Sequence, residues 1–284
     1  MKVVHYDKAQ DFIDDTFELL LEHEVQNNLI MSIALQGREA DISRWLLATV
    51  QDEGGAVLLT AVCTLPFNLL LYASGNHCRD EAVLALVREL KDLRFYIAGV
   101  TAERQLAWRF AELYQSGAPY RVHMAMNVMM LTEPPAQPKT PGLARPLTMD
   151  DLYFAPYWER EFAVECGIEV FDMPTYIAHV RDRLEKDCHY IWQHGVPVSQ
   201  AVHGRSTPNG AVVTSVYTPP PYRGHGYASF CVAHLSNLLL SRGYKFCALL
   251  ADAANPISNR IYYKIGYRDV CVFEEIKFEE QLRM

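Results

Sequence analysis

The stretch Val216-Tyr217-Thr218-Pro219-Pro220-Pro221-Tyr222-Arg223-Gly224-His225-Gly226-Tyr227-Ala228 decides how this chain is read. Residues 211–218 are apolar and β-branched, which predicts a strand. Three prolines end it, because proline has no backbone donor for a ladder. Residues 226–242 then carry apolar side chains at helical spacing. The N-terminus of a helix presents unpaired N–H groups and the positive end of its dipole. Glycines let such a backbone close tightly around an anion. The strand, loop and helix therefore read as a diphosphate cradle. It is not the G-x-G-x-x-G fingerprint, since the third glycine is missing, nor a Walker loop, since no Gly-Lys-Ser/Thr follows.

A second segment lies downstream, Asn255-Pro256-Ile257-Ser258-Asn259-Arg260-Ile261-Tyr262-Tyr263-Lys264-Ile265-Gly266-Tyr267. Taken alone it predicts an amphipathic helix over residues 257–265 that ends at a glycine. Between the two segments, residues 246–251 form an apolar run that predicts a strand.

Together the two segments resemble the GNAT N-acetyltransferase superfamily. Arg223, Gly226 and Ala228 fill the R/Q-x-x-G-x-G/A acetyl-CoA loop, and Asn255, Ser258, Tyr262, Gly266 and Tyr267 fill the N-x-x-S/A-x-x-x-Y-x-x-x-G-F/Y helix. The resemblance covers residues 143–278, most specifically 211–267. It implies acetyl-CoA as acyl donor, with no metal. Backbone groups of Val216, Tyr217 and Thr218 would pair with the pantetheine arm as an added strand does. Arg223 heads the loop, and the amides of Gly224, His225, Gly226, Tyr227, Ala228 and Ser229 would hold the diphosphate. Asn255 and Ser258 would lie along the donor, and the strand from Phe246 would splay from the one ending at Thr218 to leave a slot. Tyr262 would protonate the departing thiolate, and a strand N–H such as that of Val216 would stabilise the developing oxyanion. Tyr263 points elsewhere by about 100° around the helix. For the base that takes the amine proton, the spacing selects none of Glu159, Glu161, Glu165 and His203.

Outward from these motifs, residues 133–142 read E-P-P-A-Q-P-K-T-P-G, a proline-rich linker. It divides the chain into a domain at 1–132 and one at 143–284. The second half predicts a strand at 143–147, a helix capped by Thr148, a helix at 173–186, and strands at 189–194, 198–204 and 211–218. Thr207-Pro208-Asn209-Gly210 supplies the turn between the last two. A closing strand region spans 267–278. The first half predicts strands at 3–6, 56–64, 68–73, 95–100 and 120–131, with helices at 7–23, 79–93 and 102–115. The two halves share a plan, so the expected fold is α/β in the α+β sense. It comprises two tandem GNAT-like domains, each a mixed, mostly antiparallel sheet flanked by helices. The first half has no arginine-led cradle near Gly54, Gly55, Gly75 or Gly99, so it is expected to be degenerate. Its methionines at 124, 126, 129 and 130 fit a core strand better than a pocket.

The 284 residues carry 26 Lys+Arg against 34 Asp+Glu, a net charge of -8, with 50% hydrophobic and 21% charged residues. That composition predicts packed globular domains. It disfavours a nucleic-acid partner, which would need a basic stripe with exposed aromatics. No apolar run reaches the roughly 18 residues a membrane span requires. The first residues lack the apolar core of a signal peptide. The seven cysteines include no C-x-x-C pair and are expected as free thiols. The sequence thus points to a cytoplasmic enzyme, monomer or homodimer, acetylating a primary amine of a small molecule or peptide. A longer acyl-CoA as donor, or a non-catalytic acyl-CoA sensor, are the alternatives.

Overall fold

The structure is a computed structural model, and it describes residues 1–75, 80–135 and 141–279. The first run of elements is β1 (Lys2–His5), α1 (Ala9–Glu22), α2 (Glu24–Gln36), β2 (Trp45–Gln51), β3 (Val57–Thr64), β4 (Leu69–Ala73), α3 (Asp80–Asp92), β5 (Gly99–Glu103), α4 (Arg104–Gln115) and β6 (Tyr120–Leu131). The second is β7 (Leu143–Pro146), a 3-10 turn (Met149–Tyr153), α5 (Ala155–Cys166), α6 (Met173–Glu185), β8 (His189–His194), β9 (Val196–Ser206), β10 (Gly210–Tyr217), a 3-10 turn (Pro220–Tyr222), α7 (Tyr227–Ser241), β11 (Phe246–Asp252), α8 (Pro256–Ile265) and β12 (Arg268–Phe278). Each run reads strand, two helices, three strands, helix, strand, helix, strand. The repeated plan inferred from the sequence is therefore present.

Two compact units result, Met1–Val128 with Val270–Met284, and Met129–Asp269. In the first, the sheet runs β1-β2-β3-β4-β5-β12-β6. Its strands pair antiparallel up to β4, and β4 and β5 pair parallel through Leu69 with Val100 and Leu70 with Thr101. Residues Phe273 to Lys277 of β12 lie antiparallel to β5. The sheet is buried on both faces. Leu46, Ala48 and Val50 pack with Val83, Leu86, Leu106 and Phe110 from α3 and α4. Leu47, Val62 and Tyr72 pack with Phe12, Ile13 and Met31 from α1 and α2.

The second unit has the order β11-β10-β9-β8-β7, with Met129–Leu131 of β6 beyond β11. Tyr190, Trp192, Ala211 and Val213 face Cys231, Leu235 and Leu239 of α7 and Tyr262 and Ile265 of α8. Ile191 faces the other way, onto Ala155 and Val180 of α5 and α6. Alternate residues of one strand thus serve two helical layers. This architecture is the expected α+β one, each mixed sheet mostly antiparallel with helices on both faces.

Several local expectations differ. The sequence reading puts all of 143–284 in one domain, whereas Val270 onward clusters with the first compact unit. Residues 136–140 of the proline-rich run lie outside the described residues, as do residues 76–79, which include Arg79 and Cys78. The strand expected at 95–100 begins only at Gly99, and α2 and β2 had no counterpart in the sequence reading. The six described cysteines are free thiols. No described helix is long and apolar enough to cross a membrane.

Candidate functional site

Strands β10 and β11 run parallel and pair at Gly210 with Phe246, Ala211 with Cys247 and Val212 with Ala248. A Cβ on Gly210 would fall 2.1 Å from the Phe246 ring, so only glycine permits this close start. Both strands continue, to Tyr217 and Asp252, but the described residues show no ladder between them past Val212 and Ala248. A parallel pair that stops pairing midway leaves an open slot with backbone groups on both walls. On its other edge β10 shifts register twice against β9. Thr214 faces Val202 and Tyr217 faces Gln200, so Ser215 and Val216 stand where β9 has one residue, Ala201. Ser215 takes φ +49°, a left-handed turn inside the strand.

The cradle follows directly. Gly224 and Gly226 adopt φ +81° and +79°, and Gly226 is the N-cap of α7 with no side-chain cap. Among the described residues, the amides of Gly224, His225, Gly226, Tyr227, Ala228 and Ser229 have no hydrogen-bond acceptor. The first turn of α7 holds no acidic residue. A Cβ at Gly224 would meet nothing within 4 Å. Six consecutive open amides at a helix N-terminus match the donor set that a diphosphate requires. Arg223, though exposed, braces the loop: its Nε donates to the Thr218 carbonyl at 2.8 Å and its Nη2 donates to both Glu165 oxygens at 2.6 and 2.8 Å. The Thr218 hydroxyl lies 2.8 Å from Ser199 Oγ. Tyr227 is buried, with its hydroxyl 2.8 Å from His194 Nδ1, while His225 is exposed.

On α8, Asn255 is the N-cap, and its Oδ1 accepts from the amides of Ile257 and Ser258 at 3.2 and 3.1 Å. Ser258 Oγ donates to the Asn255 carbonyl. Both polar groups thus shape the helix start, a role the sequence reading did not assign to them. Asn259 was overlooked. Its Nδ2 donates to the carbonyls of Asp252 and Asn255, tying the end of β11 to α8. Tyr262 is buried, and its hydroxyl has no hydrogen-bond partner among the described residues. Burial lifts its pKa well above the usual phenol value, with Cys166 adding to the rise, so the hydroxyl keeps its proton. Tyr263 turns outward and donates to Asp269 at 2.7 Å.

The four base candidates are all engaged. Glu161 is half-buried and paired with Arg160, and Glu165 is held by Arg223. His203 Nε2 lies 2.9 Å from Ser206 Oγ, opposite Val213 and away from the bulge, and burial lowers its pKa. Glu159 is buried and accepts from Gln200 Nε2 and Ser215 Oγ. Among the described residues no group of His, Cys, Asp and Glu is arranged to hold a metal ion.

A family model described as FR47-like protein matches residues 193–276. No curated protein matches the chain. Among solved structures, a GNAT-family acetyltransferase from Colwellia psychrerythraea is 11% identical with TM-score 0.62, covering 98% of this chain and 100% of its own. A GCN5-related N-acetyltransferase from Sphaerobacter thermophilus is 17% identical with TM-score 0.63, covering 86% of this chain and 85% of its own. A tandem GNAT protein from the clavulanic acid biosynthesis pathway is 12% identical with TM-score 0.57, with 99% of each chain covered. The doubled element order and these whole-chain likenesses show that the chain has the tandem GNAT fold.

Proposed function

We propose that the second unit is an acyl-CoA-dependent N-acyltransferase that moves an acetyl group from acetyl-CoA to a primary amine of a small molecule or peptide. The observation that carries this reading is the slot between β10 and β11 opening beside six unpaired amides. Acetyl-CoA, when bound, supplies an activated acyl carbon and a thiolate leaving group. Amides of residues 224–229 hold its diphosphate, and the open edge of Val216, Tyr217 and Thr218 accepts the pantetheine arm. A main-chain N–H of β10 near Val216 faces negative charge as it develops on oxygen. Tyr262 would give its phenolic proton to the departing sulfur, and the proton that the attacking nitrogen loses, passed through solvent, would restore the phenol. Asn255 and Ser258 hold the start of α8, and thereby Tyr262, against the slot.

Direct attack by the amine fits the thiols present. Burial raises the Cys166 thiol to about 11, with Glu165 and Asp252 adding to the rise, so it stays protonated and is a poor nucleophile. In the first unit the helix corresponding to α7 begins with Asp80 and Glu81, and Asp80 is gripped by Arg109 at 2.7 Å through two bonds. Carboxylates at that position repel a phosphate, which supports a degenerate, non-binding first unit.

The test is thiol release from acetyl-CoA against a panel of amino acids, polyamines, aminoglycosides and peptides, with calorimetric CoA binding alongside. Turnover on an amine supports the proposal. Tight binding without turnover on any amine would favour a sensing module instead, and faster turnover with a longer acyl chain would change the donor.

A further inference from the structure

Glu159 is a carboxylate with 6% of its side chain exposed, in a protein whose transfer chemistry gives it no task. Its Oε1 accepts from Gln200 Nε2 at 2.7 Å, and its Oε2 accepts from Ser215 Oγ at 3.1 Å. Arg183 Nη1 lies 2.7 Å from Oε2, an ion pair by distance though out of hydrogen-bond alignment. The same Gln200 Nε2 also donates to the Ser215 carbonyl at 3.3 Å. Two acceptors, Glu159 Oε1 and the Ser215 carbonyl, thus fix this end of Gln200 as the donor, and they leave its Oε1 facing His189 Nε2 at 3.1 Å. That oxygen can only accept, so His189 Nε2 carries the proton. Two of these contacts end on one residue of β10, Ser215, which Glu159 holds by the hydroxyl and Gln200 by the carbonyl. That residue is the one with φ +49°, a conformation disfavoured for any side chain with a Cβ. It sits between the last β10–β11 pair, at Val212, and the cradle.

We propose that Glu159 is a positioning residue: through Ser215 and Gln200 it clamps the left-handed bulge of β10 and so aims the strand's main-chain N–H groups into the slot. This rests on the transfer function proposed above. Glu159 itself is not the base, because its lone pairs already serve Gln200, Ser215 and Arg183.

The test uses the full chain with two variants. Glu159→Gln places an amide donor against donors on Gln200 and Arg183. Ser215→Gly deletes the CH2OH group, keeps the left-handed conformation open and leaves the ion pair intact. For each folded variant, kcat should fall about tenfold or more while CoA affinity, set by the cradle amides, stays within about twofold. The double variant should be no worse than the worse single one, because both remove one contact. Without any substrate, amide hydrogen exchange should quicken at residues 215–217 and stay unchanged at residues 210–212. Unchanged kcat in a folded variant overturns the proposal, as does a parallel fall of kcat and CoA affinity, or unaltered exchange at the bulge. If Glu159→Gln does not fold, Ser215→Gly decides alone. If the wild-type chain acylates no amine, the transfer function fails, and the exchange comparison still decides whether the clamp exists.

Discussion

Gly226 turns the chain at φ +79° where α7 begins, and a Cβ there would come within 3.3 Å of the Phe230 ring. A β-branched residue resists that backbone region and fills the cradle. Gly226→Val should therefore weaken CoA binding by at least about tenfold, ~1.4 kcal/mol, by calorimetry. Unchanged affinity would remove the cradle from the mechanism. Tyr262→Phe keeps the buried ring but not the proton, so kcat should drop about 100-fold with little change in donor KM. Since burial holds the Tyr262 phenol above its usual value of 10.0, deprotonation should not limit kcat until pH passes that value. A fall at pH 8 that is present in wild type and absent in Tyr262→Phe would contradict the assignment. Both positions were legible in the sequence because each belongs to a contiguous motif, a glycine-bearing loop before a helix and a helix ending at Gly266. The contacts of Glu159, which the sequence offered only as one of four base candidates, were not: Gln200 and Ser215 lie 41 and 56 residues from it, and no spacing rule links them.

At the scale of elements, β2 escaped the sequence reading for a physical reason. Trp45-Leu46-Leu47-Ala48-Thr49-Val50-Gln51 is buried on both faces, so the alternation that marks a half-exposed strand is missing. Helix α2 escaped because buried Asn27 and Asn28 interrupt its apolar stripe; each finds a carbonyl, of Leu20 and Val25. Strand β8 carries a pH dependence. His189 is 1% exposed, and burial lowers its pKa from 6.5 to about 4. The unfolded chain takes up a proton near 6.5 and the folded chain only near 4. Stability is therefore complete above pH 6.5 and falls as pH drops toward 4, by on the order of 3 kcal/mol from this group. Thermal melts from pH 7 to 4.5 should show the decline, and the His189 ring resonances should not titrate above pH 5. Titration near 6.5 would mean that the ring is solvated and the bulge network open.

For the molecule as a whole, the consequential strand is β12. Ile276 is fully buried and Phe273 nearly so, and Val270 onward counts with the first compact unit. Deleting residues 270–284 should strip the β5 edge and sharply raise the protease sensitivity of the first unit, seen as early cleavage within residues 1–128. Cleavage confined to residues 143–269 would restore the domain boundary drawn at the proline-rich run. The amino-acid sequence alone determined the order of elements in the second half, the glycine-bearing loop before α7 and the helix that carries Tyr262. Each of these is encoded by contiguous residues whose backbone preferences act locally. Only the tertiary structure decided that the last strand completes the first sheet, that Arg223 braces its loop through Thr218 and Glu165, and that Glu159 reaches the β10 bulge. Those outcomes depend on contacts between residues far apart in the chain, where burial and charge pairing, not local propensity, choose the partner.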